Sequence, residues 1–330
     1  MMTRTAVLLI LVVLTVGGAY WLSLDNASPG VAEEHRWLNE FSAQASSINA
    51  VTVSNAQGVL FAATQINGDW MATHVDANQA FPVNRQALGE LVSTLRQTSV
   101  VEPKTASAEY YPRLGVEPLS SADAQGTLVE LGTGKQRWAV IVGNTATNGM
   151  GQYVREQQAD ISYLIDASVP LPSSATDWLI SDVLPFGAAE VAGIEITHAD
   201  NRKITLSRND DDMAAPWRWQ QQPRNRTLTY PGVLAQSVAD IVDIRYAGVA
   251  PYIQEEWEQR ALLGNVRITL KSGSEVVAYL AEADEAGAYR LWISTPDNPQ
   301  WISDWVFELS DFQAAPFRLT ADDLLQSEDK

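Results

Sequence analysis

Thr127-Leu128-Val129-Glu130-Leu131, the turn Gly132-Thr133-Gly134, and Trp138-Ala139-Val140-Ile141-Val142 form the stretch that decides the fold. Two short runs rich in apolar and β-branched residues flank a glycine-bearing turn, which is the pattern of an antiparallel hairpin. The pattern returns in Val266 to Leu270, Ser272-Gly273 and Val276 to Leu280.

Both hairpins have matching surroundings. Upstream of the first, alternating strands are expected over Val51 to Ser54 and Val59 to Gln65, joined to Trp70 through Asn67-Gly68. Upstream of the second, strands are expected over Ile194 to Thr197 and Lys203 to Ser207, with Asp200-Asn201 as the turn and Trp217 alternating with Trp219. Each copy then predicts one amphipathic helix. Asn84 is the expected cap of the helix carrying Leu88, Leu91, Val92 and Leu95, while Thr229 as cap and Pro231 lead into Leu234, Val238, Ile241 and Val242. Both helices run into β-branched segments ending at Pro103 and Pro251. Strands Tyr153 to Arg155 and Ile161 to Ile165 close the first copy; Tyr289 to Ile293 and Trp305 to Leu309 close the second. The expected fold is α+β: two tandem related units, each a mainly antiparallel sheet with one packed helix. Their expected bounds are 48–172 and 191–319, with a packed connector over 173–190 carrying Trp178, Leu179, Leu184 and Phe186.

Ahead of the repeats, no charge interrupts Ala6 to Leu24. A helix over that run approaches the roughly 30 Å thickness of bilayer hydrocarbon. Residues 1–24 are therefore expected to be a transmembrane anchor or uncleaved signal, followed by a stalk over 25–47 with a short helix from Glu33 to Ala43. Arg4 before the run and Asp25 after it place the N-terminus in the cytoplasm and the bulk outside, so the expectation is a single-pass protein of a bacterial inner membrane with its mass in the periplasm. A cleaved signal peptide, with Gly17 and Ala19 before the cut, is the alternative. Residues 320–330 are expected to be an acidic tail.

A net charge of −18 repels phosphate backbones, so nucleic acid is not an expected partner. With no cysteine there is no disulfide, thiolate nucleophile or thiolate zinc site. Gly132-Thr133-Gly134-Lys135 falls short of a phosphate loop, which needs glycine where Val129 stands and serine or threonine where Gln136 stands. His35, His74 and His198 have no metal-ligand spacing and are expected in solvent, as is the Asp210-Asp211-Asp212 loop. No catalytic, cofactor or metal residue is assigned.

Val101-Glu102-Pro103-Lys104-Thr105, Tyr111, Arg113-Leu114-Gly115-Val116-Glu117, Val142-Gly143, Gly151, Tyr153-Val154-Arg155 and Asp177-Trp178-Leu179 occur in order along the first copy. On these residues the chain resembles the bacterial family catalogued as domain of unknown function 4340, from the stalk to about Ile196. The second copy is looser, with Ala288-Tyr289-Arg290 where the first has Tyr153-Val154-Arg155. The resemblance implies an anchored envelope protein of uncharacterised activity, in some members akin to auxiliary parts of ABC-type transport systems associated with gliding motility, and it brings no catalytic residues.

Two sets of residues are candidates for binding. Tyr110, Tyr111, Arg113, Tyr153 and Arg155 are placed to grip a partner's carboxylate or backbone, or else Arg155 satisfies a buried acid such as Glu117. Trp217, Trp219, Trp257, Trp292, Trp301 and Trp305 either stack on sugar or pack the second sheet. The expected function is a non-catalytic, membrane-anchored periplasmic binding or scaffolding module with an ABC-type permease or other envelope protein as partner and no cofactor. Alternatives are a glycan-cleaving envelope enzyme using paired carboxylates, and a glycan-binding protein.

Overall fold

A computed structural model describes residues 37–147, 149–209, 215–295 and 300–327. The expected anchor, His35, Asp210-Asp211-Asp212 and the end of the acidic tail lie outside the described residues. Among the described residues no helix is long and apolar enough to cross a membrane.

The chain is α+β and is built on two antiparallel sheets. The first comprises β1 (Ala50–Asn55), β2 (Gly58–Ile66), β3 (Asp69–Ala72), β4 (Phe81–Pro82), β5 (Val100–Pro103), β6 (Thr127–Gly132), β7 (Arg137–Thr145), β8 (Gln152–Glu156) and β9 (Ser162–Ile165). The second comprises β10 (Val191–His198), β11 (Lys203–Arg208), β12 (Trp217–Trp219), β13 (Gly248–Pro251), β14 (Leu262–Leu270), β15 (Glu275–Ala281), β16 (Tyr289–Ser294) and β17 (Trp305–Leu309). The strand orders are β4-β3-β2-β1-β6-β7-β8-β9-β5 and β12-β11-β10-β14-β15-β16-β17-β13. With β4 set aside, each strand of the first sheet has a counterpart at the same place in the second. In both, a helical segment carries the chain from one edge strand to the opposite edge, where a strand ending in proline, Pro103 or Pro251, discourages further pairing.

Local chemistry explains these elements. Asn67, at φ 54°, turns β2 back into β3. Besides α1 (Asn39–Gln44), the first long helix is α2 (Arg85–Gln97), whose opening amides on Gln86 and Ala87 donate to Asn84 Oδ1 at 3.1 and 3.2 Å. Further on come α3 (Tyr111–Leu114) and α4 (Val233–Val242). Thr229 is not the cap of α4, because Gly232 stands at that position; the Thr229 amide donates instead to the Leu324 carbonyl at 2.9 Å. Buried Trp217 and Trp219 flank an exposed Arg218, as strand alternation requires.

The described residues fall into two compact units, and the boundary runs through the first sheet. Unit 1 takes residues up to 48, 91–128 and 138–170; unit 2 takes 49–90, 129–137 and the chain from 171 on. Within unit 1, residues expected in a stalk are packed. Phe41 is fully buried with its ring edge-on to Trp138 at 5.5 Å, and the Trp37 amide donates to the Thr98 carbonyl at 3.1 Å.

Within unit 2, Phe81 of β4 is fully buried among aromatics. Its centroid lies 5.0 Å from Trp305, 5.5 Å from Trp301, 6.1 Å from Tyr246 and 6.3 Å from Phe307, all edge-on. The stretch after Pro172 seals the β4 edge: Leu179 bridges Val83, the Ile180 amide donates to the Pro82 carbonyl, and Tyr246 donates its hydroxyl to the Ile180 carbonyl. A second aromatic cluster lies on the other sheet of this unit, where Trp292 stacks on Tyr252 at 4.5 Å beside buried Trp257.

Asp177 anchors the sealing segment. Ser173 N and Oγ each donate to its carboxylate at 2.6 Å, and Ser174 N and Oγ at 3.0 and 2.5 Å. Desolvation works against the charge, but these donors outweigh it and hold the carboxyl at about 2, down from 3.8. A depressed acid stabilises the fold above its unfolded pKa and loses that contribution as pH falls through the folded value. Because Asp177 is exposed, solvent screening leaves about 1 kcal/mol. Asp177→Asn should therefore lower unfolding stability by about that much at pH 7 in urea titrations, with the gap narrowing between pH 4 and pH 2.

Candidate functional site

Apart from Asp177-Trp178-Leu179, which belong to unit 2, the stretches that carry the family resemblance lie in unit 1, around the loop that contains α3. Tyr111, buried at its start, packs with Val116, Leu128 and Ile141, and half-buried Tyr153 lies against them. Its hydroxyl donates to the Asp160 carbonyl. Behind the loop, Gly143 of β7 allows direct backbone approach, since a Cβ there would stand 2.2 Å from the Leu114 carbonyl oxygen. Gly151, at φ 86°, has the same role one strand over, where a Cβ would stand 2.0 Å from the Ile165 carbonyl oxygen.

Arg155 fastens the loop from inside. Only 4% exposed, it donates from Nε to the Val116 carbonyl at 2.9 Å, and from Nη1 to those of Ala159 at 2.8 Å and Gln157 at 3.2 Å. Its guanidinium carbon lies 4.5 Å from the Tyr111 ring centroid. Burial lowers its pKa, with Tyr111 and Asp160 working against that shift. The expected pairing with Glu117 is not formed. Glu117 is buried and accepts from the Gln125 amide at 3.1 Å, while the guanidinium is taken up by the carbonyls of the turn after β8.

The five residues proposed from sequence thus separate. Tyr111 and Arg155 are interior and cannot touch a partner. Tyr110, 42% exposed, and Arg113 are on the surface, with the guanidinium carbon 5.3 Å from the Tyr110 centroid. Tyr153 is half-buried under Lys104, whose Nζ is 5.7 Å from the ring centroid and pairs with Glu102. That hydrogen bond to Glu102 raises the lysine pKa, against a smaller lowering by desolvation. Thr105 is a strand-end clasp: its amide donates to Ser162 Oγ at 3.1 Å, and that hydroxyl donates to the Thr105 carbonyl at 2.9 Å. The loop therefore presents Arg113, exposed over the Tyr110 ring, as a cation able to take carboxylate or backbone carbonyl groups, while Lys104 over Tyr153 is already paired with Glu102.

Other candidates resolve into structure. Gly132 to Lys135 forms the β6–β7 turn, where Thr133 Oγ1 accepts from the Gln136 amide at 3.0 Å. His74 and His198 are not free in solvent. His74 contacts the carbonyls of Ala62 at 3.2 Å and Ala175 at 2.8 Å, and His198 contacts that of Leu319 at 3.0 Å. Trp217, Trp219, Trp257 and Trp305 are buried, leaving Trp292 and Trp301 half-buried and no exposed row of rings among the six. In the second sheet, Arg290 is held by carboxylates, Asp284 at 2.8 Å and Glu308 at 3.4 Å, where its sequence counterpart Arg155 uses carbonyls. Among the described residues no group of histidines and acids is arranged to hold a metal.

No curated protein and no solved structure matches the chain. The model of the family described as "Domain of unknown function (DUF4340)" matches residues 70–258, beginning at β3 and running through β13. The match starts later than the stalk and extends well past Ile196, into the second sheet. Covering more than half of the sequence, it shows that the chain belongs to the DUF4340 family.

Proposed function

We propose that this chain is a non-catalytic, membrane-anchored periplasmic binding or scaffolding module, auxiliary to an ABC-type transport system. The observation that carries the reading is the division of the Tyr110 to Glu117 loop: buried Tyr111 and Arg155 hold its shape, while Tyr110 and Arg113 face outward as a preformed cation–aromatic surface. Such a surface loses little freedom on docking. The exposed charge of Arg113, on a chain of net charge −18, favours an acidic partner segment there. The apolar Ala6 to Leu24 run supplies the membrane anchor in this reading.

The test is photo-crosslinking in native membranes from a reactive side chain placed at Tyr110. A permease adduct, recovered with a chain that retains residues 1–24 by intact mass, is the expected result. No adduct, together with hydrolysis of cell-wall glycan by the purified chain, would replace this reading with the enzyme.

A further inference from the structure

Beside the start of α2, unit 2 carries a cleft of about 650 Å³ whose walls include Trp70, Trp301, Asp69, Arg85, Ser181 and Asp182. The volume falls within the range of small-molecule sites. Both indoles are half-buried, and Trp301 is fixed edge-on to buried Phe81 at 5.5 Å. The polar groups stand at the rim: Asp69 and Arg85 form an exposed ion pair, and Ser181 and Asp182 are exposed on the opposite segment. A second cleft, of about 600 Å³, is lined by Ile180, Ser181, Asp182 and Trp301 as well, so the two adjoin at this common wall and together form the track beside Trp301.

The chemistry narrows the occupant. A peptide adding as a strand needs a free sheet edge, and here the edge is closed by the Val83–Leu179 bridge and the Ile180 to Pro82 hydrogen bond at 3.1 Å. Two carboxylates in the wall disfavour a polyanion. An elongated ligand recognised by side chains, with apolar faces for the indoles and hydroxyls for the rim, remains. We propose that this track binds a neutral or amino-sugar oligosaccharide, its ring C–H faces on Trp70 and Trp301 and its hydroxyls on Asp69, Arg85 and Asp182. The site is distinct from the Tyr110 loop and stands whether or not that loop docks a permease.

Titration of the full chain in detergent with chitotetraose and with maltotetraose, followed by tryptophan fluorescence and calorimetry, tests it. At least one saccharide should bind saturably. Trp70→Ala should weaken that binding roughly tenfold or more, the loss expected of one aromatic anchor. Ser181→Trp, which fills the track without removing a core residue, should abolish it, with thermal melting of both variants near wild type. The proposal is overturned if neither saccharide binds up to about 5 mM, a weak single-site limit. It is equally overturned if both variants bind as wild type, or if an extended peptide binds where the saccharides do not.

Discussion

Phe81→Ala is expected to cost about 3–5 kcal/mol of stability, the range for truncating a large buried aromatic. Phe81 belongs to a two-residue edge strand, yet its ring is fully buried and touches Tyr246, Trp301, Trp305 and Phe307. These partners are themselves tied in. Trp305 is 1% exposed, and Tyr246, whose hydroxyl is bound to the Ile180 carbonyl, has its pKa pushed well up by burial. Fully buried Trp305 and Phe307 have little room to collapse into the space left by the ring, which favours the upper end of that range. Denaturant titration should show a large fall in the unfolding midpoint; a change under about 1 kcal/mol would mean that the cluster repacks.

Arg155→Met is expected to be nearly as severe, at about 3–4 kcal/mol. Methionine keeps much of the apolar stem but leaves the Val116, Gln157 and Ala159 carbonyls without their donor, and the Tyr111 face without its cation. Arg155→Lys should recover only a minor part, because a single ammonium cannot reach the Val116 carbonyl and those of Gln157 and Ala159 together as a guanidinium fork does. Hydrogen exchange should show faster opening confined to the loop and the end of β8. Uniform exchange across unit 1, or a lysine variant as stable as wild type, would contradict the fastening role.

The sequence disclosed the sheets well because a strand pair announces itself through alternation and through its turn. Asn67-Gly68 and Ser272-Gly273 marked hairpins, and the buried alternation of Trp217 and Trp219 was visible in two-residue spacing. Short elements were hidden. Phe81-Pro82 is too brief to alternate, and Tyr111-Pro112-Arg113-Leu114 completes barely one turn without a side-chain cap. The Thr229 cap failed because a glycine three residues on took the position.

The candidate site was legible by composition and misread in depth. A sequence shows that arginines and tyrosines lie close along the chain, but not which of two adjacent tyrosines turns inward. It also shows charges rather than carbonyl directions, so Arg155 was offered Glu117 when the turn at 156–159 presented better-placed oxygens. His74 and His198 depart from expectation for the same reason: their partners are backbone carbonyls up to 121 positions away.

The central claim is that the inner half of the Tyr110 to Glu117 loop builds and the outer half binds. Charge reversal at Arg113 in the Tyr110 crosslinking experiment tests it most directly, because the side chain is exposed and its removal leaves the interior intact. Arg113→Glu should melt within about 2 °C of wild type, as surface changes do, and lose most of the permease adduct. An adduct of wild-type yield from the charge-reversed chain would contradict the claim.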